Sequence, residues 1–439
     1  MKKVVLKVLI AVGVFCFVSC ENLETETVSA VDDTVYATEK ELESFRTSGY
    51  VNYTVSRYYA MAAMESFAEE NDWKNVTLSE KPVVIYNAKN LTPRYYEFQV
   101  LSNGIPVGAI ACVADKKEGL PVKYVLPFVS DATEDDNRAL KAKRLKICDS
   151  GYPSKKRILV DESGRSASAD IEVFEDLTIE NLTDSDFEKM GYSEEEKEGL
   201  LKGLEKENDE IASIWEKIDA ISADIENLTD EELDELYEDE DSSRKVIYNS
   251  YSVIDRFYLT KWKEKSEWGL RGLYCGPNCI AFILLGLGED AKNDIVPLSN
   301  DEVKIKRLYK TVENKIGKGP KLFDGLSDGL SFFAPYKLKP CFPYWETIFD
   351  YVKDSKLPCL SLRGSKGFSQ SDIQFHYRVV IGTKTEKVKT ILKVFGRKKT
   401  LFSWHDHFYY MHDNGSDGFN FYENSKKLNQ IGAAKVVEK

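Results

Sequence analysis

Short, strand-like apolar runs in the first third of the chain predict strands over Val83 to Tyr86, Tyr95 to Leu101, Val107 to Val113 and Val122 to Val129. Between the second and third, Ser102-Asn103-Gly104 is a tight-hairpin signal, because Asn-Gly accepts the positive φ that such turns require. Ahead of them, Thr38-Glu39-Lys40-Glu41 has the form of a capping box, and apolar positions from Leu42 to Met64 predict a long helical region of mixed faces. A helix beside an antiparallel sheet makes a small α+β domain ending near residue 150.

The pattern then changes. Ser163 to Ala169 is small and polar, the composition of a linker. From Leu200 to Leu228 apolar residues recur at alternating spacings of three and four, interrupted by Glu207, which predicts one long helix with a heptad-like seam. Such a seam packs on its own domain, on a neighbouring helix or on a second chain. Leu233 to Ser243 is acidic and reads as a solvated linker. Beyond residue 246 the chain turns aromatic. The apolar run after Gly276-Pro277 predicts a buried helix, Asp301 to Lys315 a second and Pro343 to Val352 a third, with loops at Gly317 to Pro320 and Gly325 to Gly329. Strands are expected over Leu357 to Leu362, His376 to Ile381, Thr390 to Val394, Phe408 to His412 and Phe419 to Tyr422. Helices followed by strands predict an α+β domain in two lobes. The reading is therefore a multidomain α+β protein: residues 21–150, an acidic helical segment 151–245, and a C-terminal domain 246–439.

A length of 439 residues with 42% hydrophobic content supplies two or three such domains with true cores. The net charge of −13 argues against nucleic-acid partners, whose phosphates it would repel. Lys2 and Lys3 precede an apolar run from Val4 to Val18, broken only by Lys7, which reads as a secretory signal over residues 1–20, too short to span a membrane. Its end, Ser19-Cys20, resembles the lipobox of bacterial lipoproteins. That resemblance implies cleavage before Cys20, acylation there, and a membrane-anchored protein of the bacterial cell envelope. Glu21 and Glu24 are similar to the acidic leader of lipoproteins sent to the cell surface. Of the remaining cysteines, Cys112, Cys148, Cys275, Cys279, Cys341 and Cys359, the spacings form no dense disulfide framework.

Candidate chemistry centres on Tyr274-Cys275-Gly276-Pro277-Asn278-Cys279. Proline suits a first helical turn, because its missing N–H has no partner there anyway. Cys275 is thus expected at a helix N-terminus, where unpaired N–H groups and the helix dipole favour a thiolate and can hold an oxyanion. The competing reading is a small core residue, and Cys279, one turn further in, fits that better. A thioredoxin-like dithiol would need two intervening residues, and three separate Cys275 from Cys279.

A thiol nucleophile needs an imidazole to take its proton. All four histidines fall in the last part of the chain, and His376, opening Phe375-His376-Tyr377-Arg378-Val379-Val380-Ile381-Gly382, is the candidate base. Its ring needs an orienting acceptor. Asp413, at the end of the next-but-one strand, is the favoured one, with Asn414 as the alternative. His405, His407 and His412 with Asp406 raise a zinc alternative; surface or hydrogen-bonded histidines fit better, and no metal or cofactor is expected.

Cys-Gly-Pro at a helix start, a later His-Tyr-x-Val-Val-Ile-Gly strand and an Asp-Asn-Gly strand end resemble the papain-like cysteine peptidases, closest to the bacteriocin-leader-cleaving type, over about residues 246 to 430. The strands and turns from Tyr86 to Gly108 are similar to the propeptide-type domain of streptopain-like enzymes. The resemblance implies a two-lobed papain-like fold, a peptide or protein substrate, no metal, and acyl transfer through a thioester. It makes Cys275 the nucleophile, His376 the base and acid, and Asp413 the orienter. The upstream segment would make the chain a zymogen, with the acidic run as a sensible cleavage point. One position departs from the pattern: the Gln expected six residues before the nucleophile is Gly269, and losing one oxyanion donor typically costs about a hundredfold to a thousandfold. Arg271 is a candidate substitute. The other expectation is therefore a catalytically inactive surface lipoprotein that keeps the fold for binding.

Overall fold

The computed structural model describes residues 36–127, 146–149, 157–160, 174–190, 192–237, 244–250, 275–287, 311–312, 314–315, 323–367, 373–413, 419–427 and 430–439. The signal segment with Cys20, the 163–169 linker, Gly269, Arg271, Asn414, the 317–320 loop and most of the helix expected over 301–315 lie outside the described residues.

In the N-terminal part, α1 (Glu39–Thr47) and α2 (Tyr53–Ser66) replace the single helical region expected from Leu42 to Met64. Gly49 at φ +87° ends the first, and the Asn52 side chain caps the second by accepting the Thr54 N–H. The expected strands appear as β2 (Val83–Asn87), β3 (Pro93–Ser102), β4 (Ile105–Val113) and β5 (Val122–Leu126), preceded by a short β1 (Val76–Leu78). Asn103 and Gly104 take positive φ in the β3–β4 turn.

The middle segment is only partly helical. It contributes the short strands β6 (Lys146–Asp149), β7 (Arg157–Val160) and β8 (Phe174–Leu177) before α3 (Asp184–Lys189), α4 (Glu194–Asp219) and α5 (Ser222–Glu226). A Ser193/Glu196 capping box starts α4. Leu200, Ile211, Ile214, Trp215 and Ile218 on α4 and Ile225 on α5 are buried against the same chain, and the Trp215 indole donates to the Gly119 carbonyl at 2.9 Å. Their seam is thus occupied from within. The acidic run after it corrects another expectation: α6 (Asp230–Tyr237) folds there and buries Leu233 and Leu236, three residues apart.

The C-terminal part holds β9 (Arg244–Ser250), α7 (Cys275–Leu287), α8 (Phe323–Phe333), β10 (Tyr336–Cys341), α9 (Trp345–Ser355), β11 (Cys359–Gly367), β12 (Ile373–Val394), β13 (Arg397–Asp413), β14 (Phe419–Asn424) and β15 (Gly432–Glu438). Gly325 to Gly329, expected as a loop, lies inside α8. Leu326, Leu330 and Phe333 make an apolar stripe at helical spacing there, and its burial outweighs the roughly 1 kcal/mol that each glycine costs a helix. Two expected strands, His376 to Ile381 and Thr390 to Val394, are the ends of the single long strand β12, which pairs with β13 across irregularities at Val380/Gly382 and Thr390/Ile391.

Among the described residues, fifteen strands join one sheet in the order β10-β15-β11-β12-β13-β14-β5-β4-β3-β2-β6-β7, with β1 on β3, β8 on β11 and β9 on β12. Pairing of β14 with β5, Tyr422 opposite Val125 and Glu423 opposite Tyr124, carries the sheet across the boundary drawn near residue 150. Helix α2 strengthens that junction. The Tyr58 hydroxyl donates to the Ile391 carbonyl and accepts its N–H, both at 2.8 Å, and the Tyr59 hydroxyl lies 2.9 Å from Thr390 Oγ1. Lys384, fully buried on β12, donates to the Ser66 carbonyl and pairs with Glu70 at 2.7 Å and Glu386 at 3.0 Å, its Nζ 3.8 Å from the Phe67 ring centroid. A desolvated charge needs its partners, so separating the parts would strip Lys384 of the Ser66 carbonyl and Glu70 and leave it with Glu386 alone. Cleavage within residues 238–243 is therefore expected to leave both pieces in one particle: they should co-elute on size exclusion until denaturant is added, and spontaneous release of the N-terminal piece would contradict this.

Candidate active site

Helix α7 begins at Cys275, so the nucleophile candidate sits in its first turn, with N–H groups that have no intrahelical acceptor. The rest of the helix is apolar and fully buried from Cys279 to Leu284, which fixes its position on the sheet. Phe282 stacks on the buried His412 of β13 with centroids 3.9 Å apart and planes 9° from parallel. Gly276 lets the N-terminal end approach closely: a Cβ there would lie 2.9 Å from Leu326 Cδ2 and 3.5 Å from Tyr377 Cδ2. Cys275 is half-buried and its thiol points to the Phe375 carbonyl at 3.8 Å, whereas the fully buried Cys279 thiol donates to the Tyr377 carbonyl at 3.4 Å. Both sulfurs thus lie along β12, and no disulfide joins them.

Directly after Phe375 comes His376, 5% exposed, with Nε2 2.9 Å from Asp413 Oδ1. Because β12 and β13 are neighbours, Asp413 ends the adjacent strand, where the sequence reading has it on the next-but-one. Cys275 neighbours the same imidazole closely enough to help hold its proton. With Nε2 engaged by the carboxylate, Nδ1 is the nitrogen left to the sulfur. The three side chains singled out in the sequence, Cys275, His376 and Asp413, therefore come together from α7, β12 and β13.

Burial opposes a charged His376 ring, but the Asp413 charge and hydrogen bond, followed by those of Cys275, outweigh it and raise its pKa to about 9. The imidazole is consequently protonated at neutral pH.

Sequence reading missed Arg378. Strand alternation puts it on the same face as His376, and it immediately precedes Val379, which stands opposite His412 in the β12–β13 register, so its charge reaches Asp413. Its guanidinium is fully buried and donates to Glu423 at 2.9 Å. The signal was there in His376-Tyr377-Arg378, two residues apart on one strand, but the charged partner on β14 was needed to read it. On β11, Arg363 stands opposite His376 and pairs with Asp176 of β8 at 2.7 Å, so the middle segment is bonded to the strand beside the base.

The other histidines have separate roles. His405 is exposed, while His407 stacks on Trp345 at 4.6 Å and its Nδ1 lies 3.1 Å from Thr385 Oγ1. Burial, then the nearby Lys426, His405 and Lys353 charges, push the His407 pKa down to about 4. Among the described residues no group of three or more His, Cys, Asp and Glu side chains is placed to hold a metal, and no helix is long and apolar enough to cross a membrane. No protein-family model matches the chain, and no curated protein matches it significantly.

The raised His376 pKa has a consequence for stability. A group whose pKa is about 9 in the folded state and near 6.5 when unfolded stabilises the fold fully below about pH 6.5, and loses that contribution as pH rises through 9. The shift corresponds to about 3 kcal/mol. Chemical denaturation of wild type and His376→Gln between pH 6 and 10 should show their stability difference shrinking across that interval; a difference independent of pH would refute the assignment.

Proposed function

We propose that this chain is an exported cysteine peptidase, anchored to the bacterial envelope by lipid at Cys20, that hydrolyses peptide bonds through a thioester on Cys275. The observation that carries the reading is His376 held between the Cys275 sulfur and Asp413 Oδ1 at 2.9 Å, at the first turn of a helix. Its further support is the resemblance of the Cys-Gly-Pro and His-strand motifs to papain-like peptidases.

In this mechanism the thiol proton resides on His376 Nδ1, and Asp413 holds the charged ring in place. The thiolate attacks the scissile carbonyl carbon, and the carbonyl π pair moves to oxygen, which faces the unpaired N–H groups opening α7. Collapse expels the amine, which takes the proton from His376. Water then attacks the thioester while His376 accepts its proton, releasing the acid and restoring the thiolate beside the protonated imidazole. Asp176 ties the upstream segment to Arg363 beside the base, which supports regulation of this site by the N-terminal half.

A second reading rests on Gly269. Without the expected Gln, and with no replacement donor, the same fold serves in binding rather than catalysis. Labelling by a thiol-directed peptidase epoxide, together with hydrolysis of a peptide library, separates the two. The peptidase reading predicts one labelled cysteine, lost in Cys275→Ala, and a fall in turnover of about a hundredfold or more in His376→Ala. A folded wild-type protein, intact or cleaved between residues 238 and 243, that neither labels nor cleaves would leave the binding reading.

A further inference from the structure

Away from Cys275, the N-terminal, middle and C-terminal segments enclose a cavity of about 260 Å³. None of the three active-site side chains lines it. Its size is just below the roughly 300–1,000 Å³ typical of sites for drug-sized ligands, which fits an occupant of one or two rings.

Two side chains in its wall lack partners. Gln430 is only 2% exposed, and neither its amide nitrogen nor its amide oxygen makes a hydrogen bond; Ser425, 3% exposed, has an unbonded hydroxyl. Buried polar atoms of this kind are rare, because each left unpaired is costly. The stretch that carries them is also strained: Lys427 lies between them at φ +52°, an unfavourable conformation for a lysine. It is held there by an N–H bond to Glu207 and a 2.6 Å ion pair with Glu180. Glu207 is the residue that interrupts the apolar seam of α4, and in the fold it faces this cavity.

Most of the charge in the wall is paired, the exposed Lys117 and Glu207, which accepts the Lys427 N–H, excepted. Arg94 pairs with Glu118 at 3.0 Å and with Asp176 at 3.1 Å, Asp176 also pairs with Arg363, and Glu180 with Lys427. An ionic ligand would have to break these pairs. The unfilled requirement is for a neutral molecule that both donates and accepts. Tyr344, Ile179, Leu200 and Leu204 add apolar wall, suited to the C–H face of a ring.

We propose that this cavity binds a neutral sugar, of mono- or disaccharide size, through Gln430 and Ser425. Hydroxyls arranged around a ring meet an amide and a hydroxyl together, each acting as donor and acceptor. A peptide amide would satisfy Gln430 alone.

Saturation-transfer NMR on the full chain tests this, with a panel of neutral mono- and disaccharides and a capped dipeptide as probes. At least one sugar should bind saturably, with affinity at least about tenfold weaker in Gln430→Leu and in Ser425→Ala, as expected for losing one buried hydrogen bond. Binding should be unchanged in Cys275→Ala, which keeps the result separate from the peptidase reading. Gln430→Leu should unfold no earlier than wild type, since it removes an unpaired buried amide. Absence of binding by every sugar, retention of binding in both folded variants, or binding of the dipeptide in place of the sugars would each overturn the proposal.

Discussion

A buried imidazole keeps its proton only beside an acceptor that stays ionised, and strand pairing provides one here. β12 carries His376 and β13 carries Asp413, so their 2.9 Å contact is set by the ladder between two long strands. Arg378, two residues along the same face and bonded to Glu423 on β14, holds positive charge behind that carboxylate. Four side chains on three consecutive strands thus form a buried alternation of charge, and α7 delivers the Cys275 sulfur to its open end. The cost of burying these groups is offset only while each has its neighbour, which couples the chemistry of the site to the integrity of the sheet.

The halves of the chain are joined through the same strands. β14, which supplies Glu423, also pairs with β5 of the N-terminal part, and α2 bonds through Tyr58 and Tyr59 to the far end of β12. The segment that resembles a propeptide is therefore hydrogen-bonded to the strands that position the site. Cutting the connecting chain would not by itself remove it. If activity is controlled from this side, the control acts through contacts such as Asp176 with Arg363 and not through simple dissociation.

Much of this was legible beforehand because the signals were local. Short strand-like runs located β2 to β5, the Asn-Gly pair located the β3–β4 hairpin, and the Cys-Gly-Pro motif placed Cys275 at a helix start. The convergence of Cys275, His376 and Asp413 was legible in identity but not in connectivity: the region between Ile381 and Thr390 is rich in Thr, Lys and Glu, so it hides the continuity of β12, where Lys384 and Glu386 are buried by pairing with each other. Gly325 and Gly329 looked like breakers because their helix is stabilised by tertiary burial of Leu326 and Leu330, which no local window contains. Arg378 and Gln430 escaped for the same reason: their roles depend on partners, present or missing, that lie far away in sequence.

The central claim is that the Cys275 sulfur and the Asp413 carboxylate together hold a proton on His376. It is tested most directly by following the His376 ring by nitrogen NMR as pH is varied, in wild type, Cys275→Ala and Asp413→Asn. The account predicts a wild-type pKa of about 9 with protons on both ring nitrogens at neutral pH, and a lower value in each variant, lower in Asp413→Asn than in Cys275→Ala because the carboxylate acts more strongly on the ring. A wild-type value near 6.5 that neither substitution moves would contradict it.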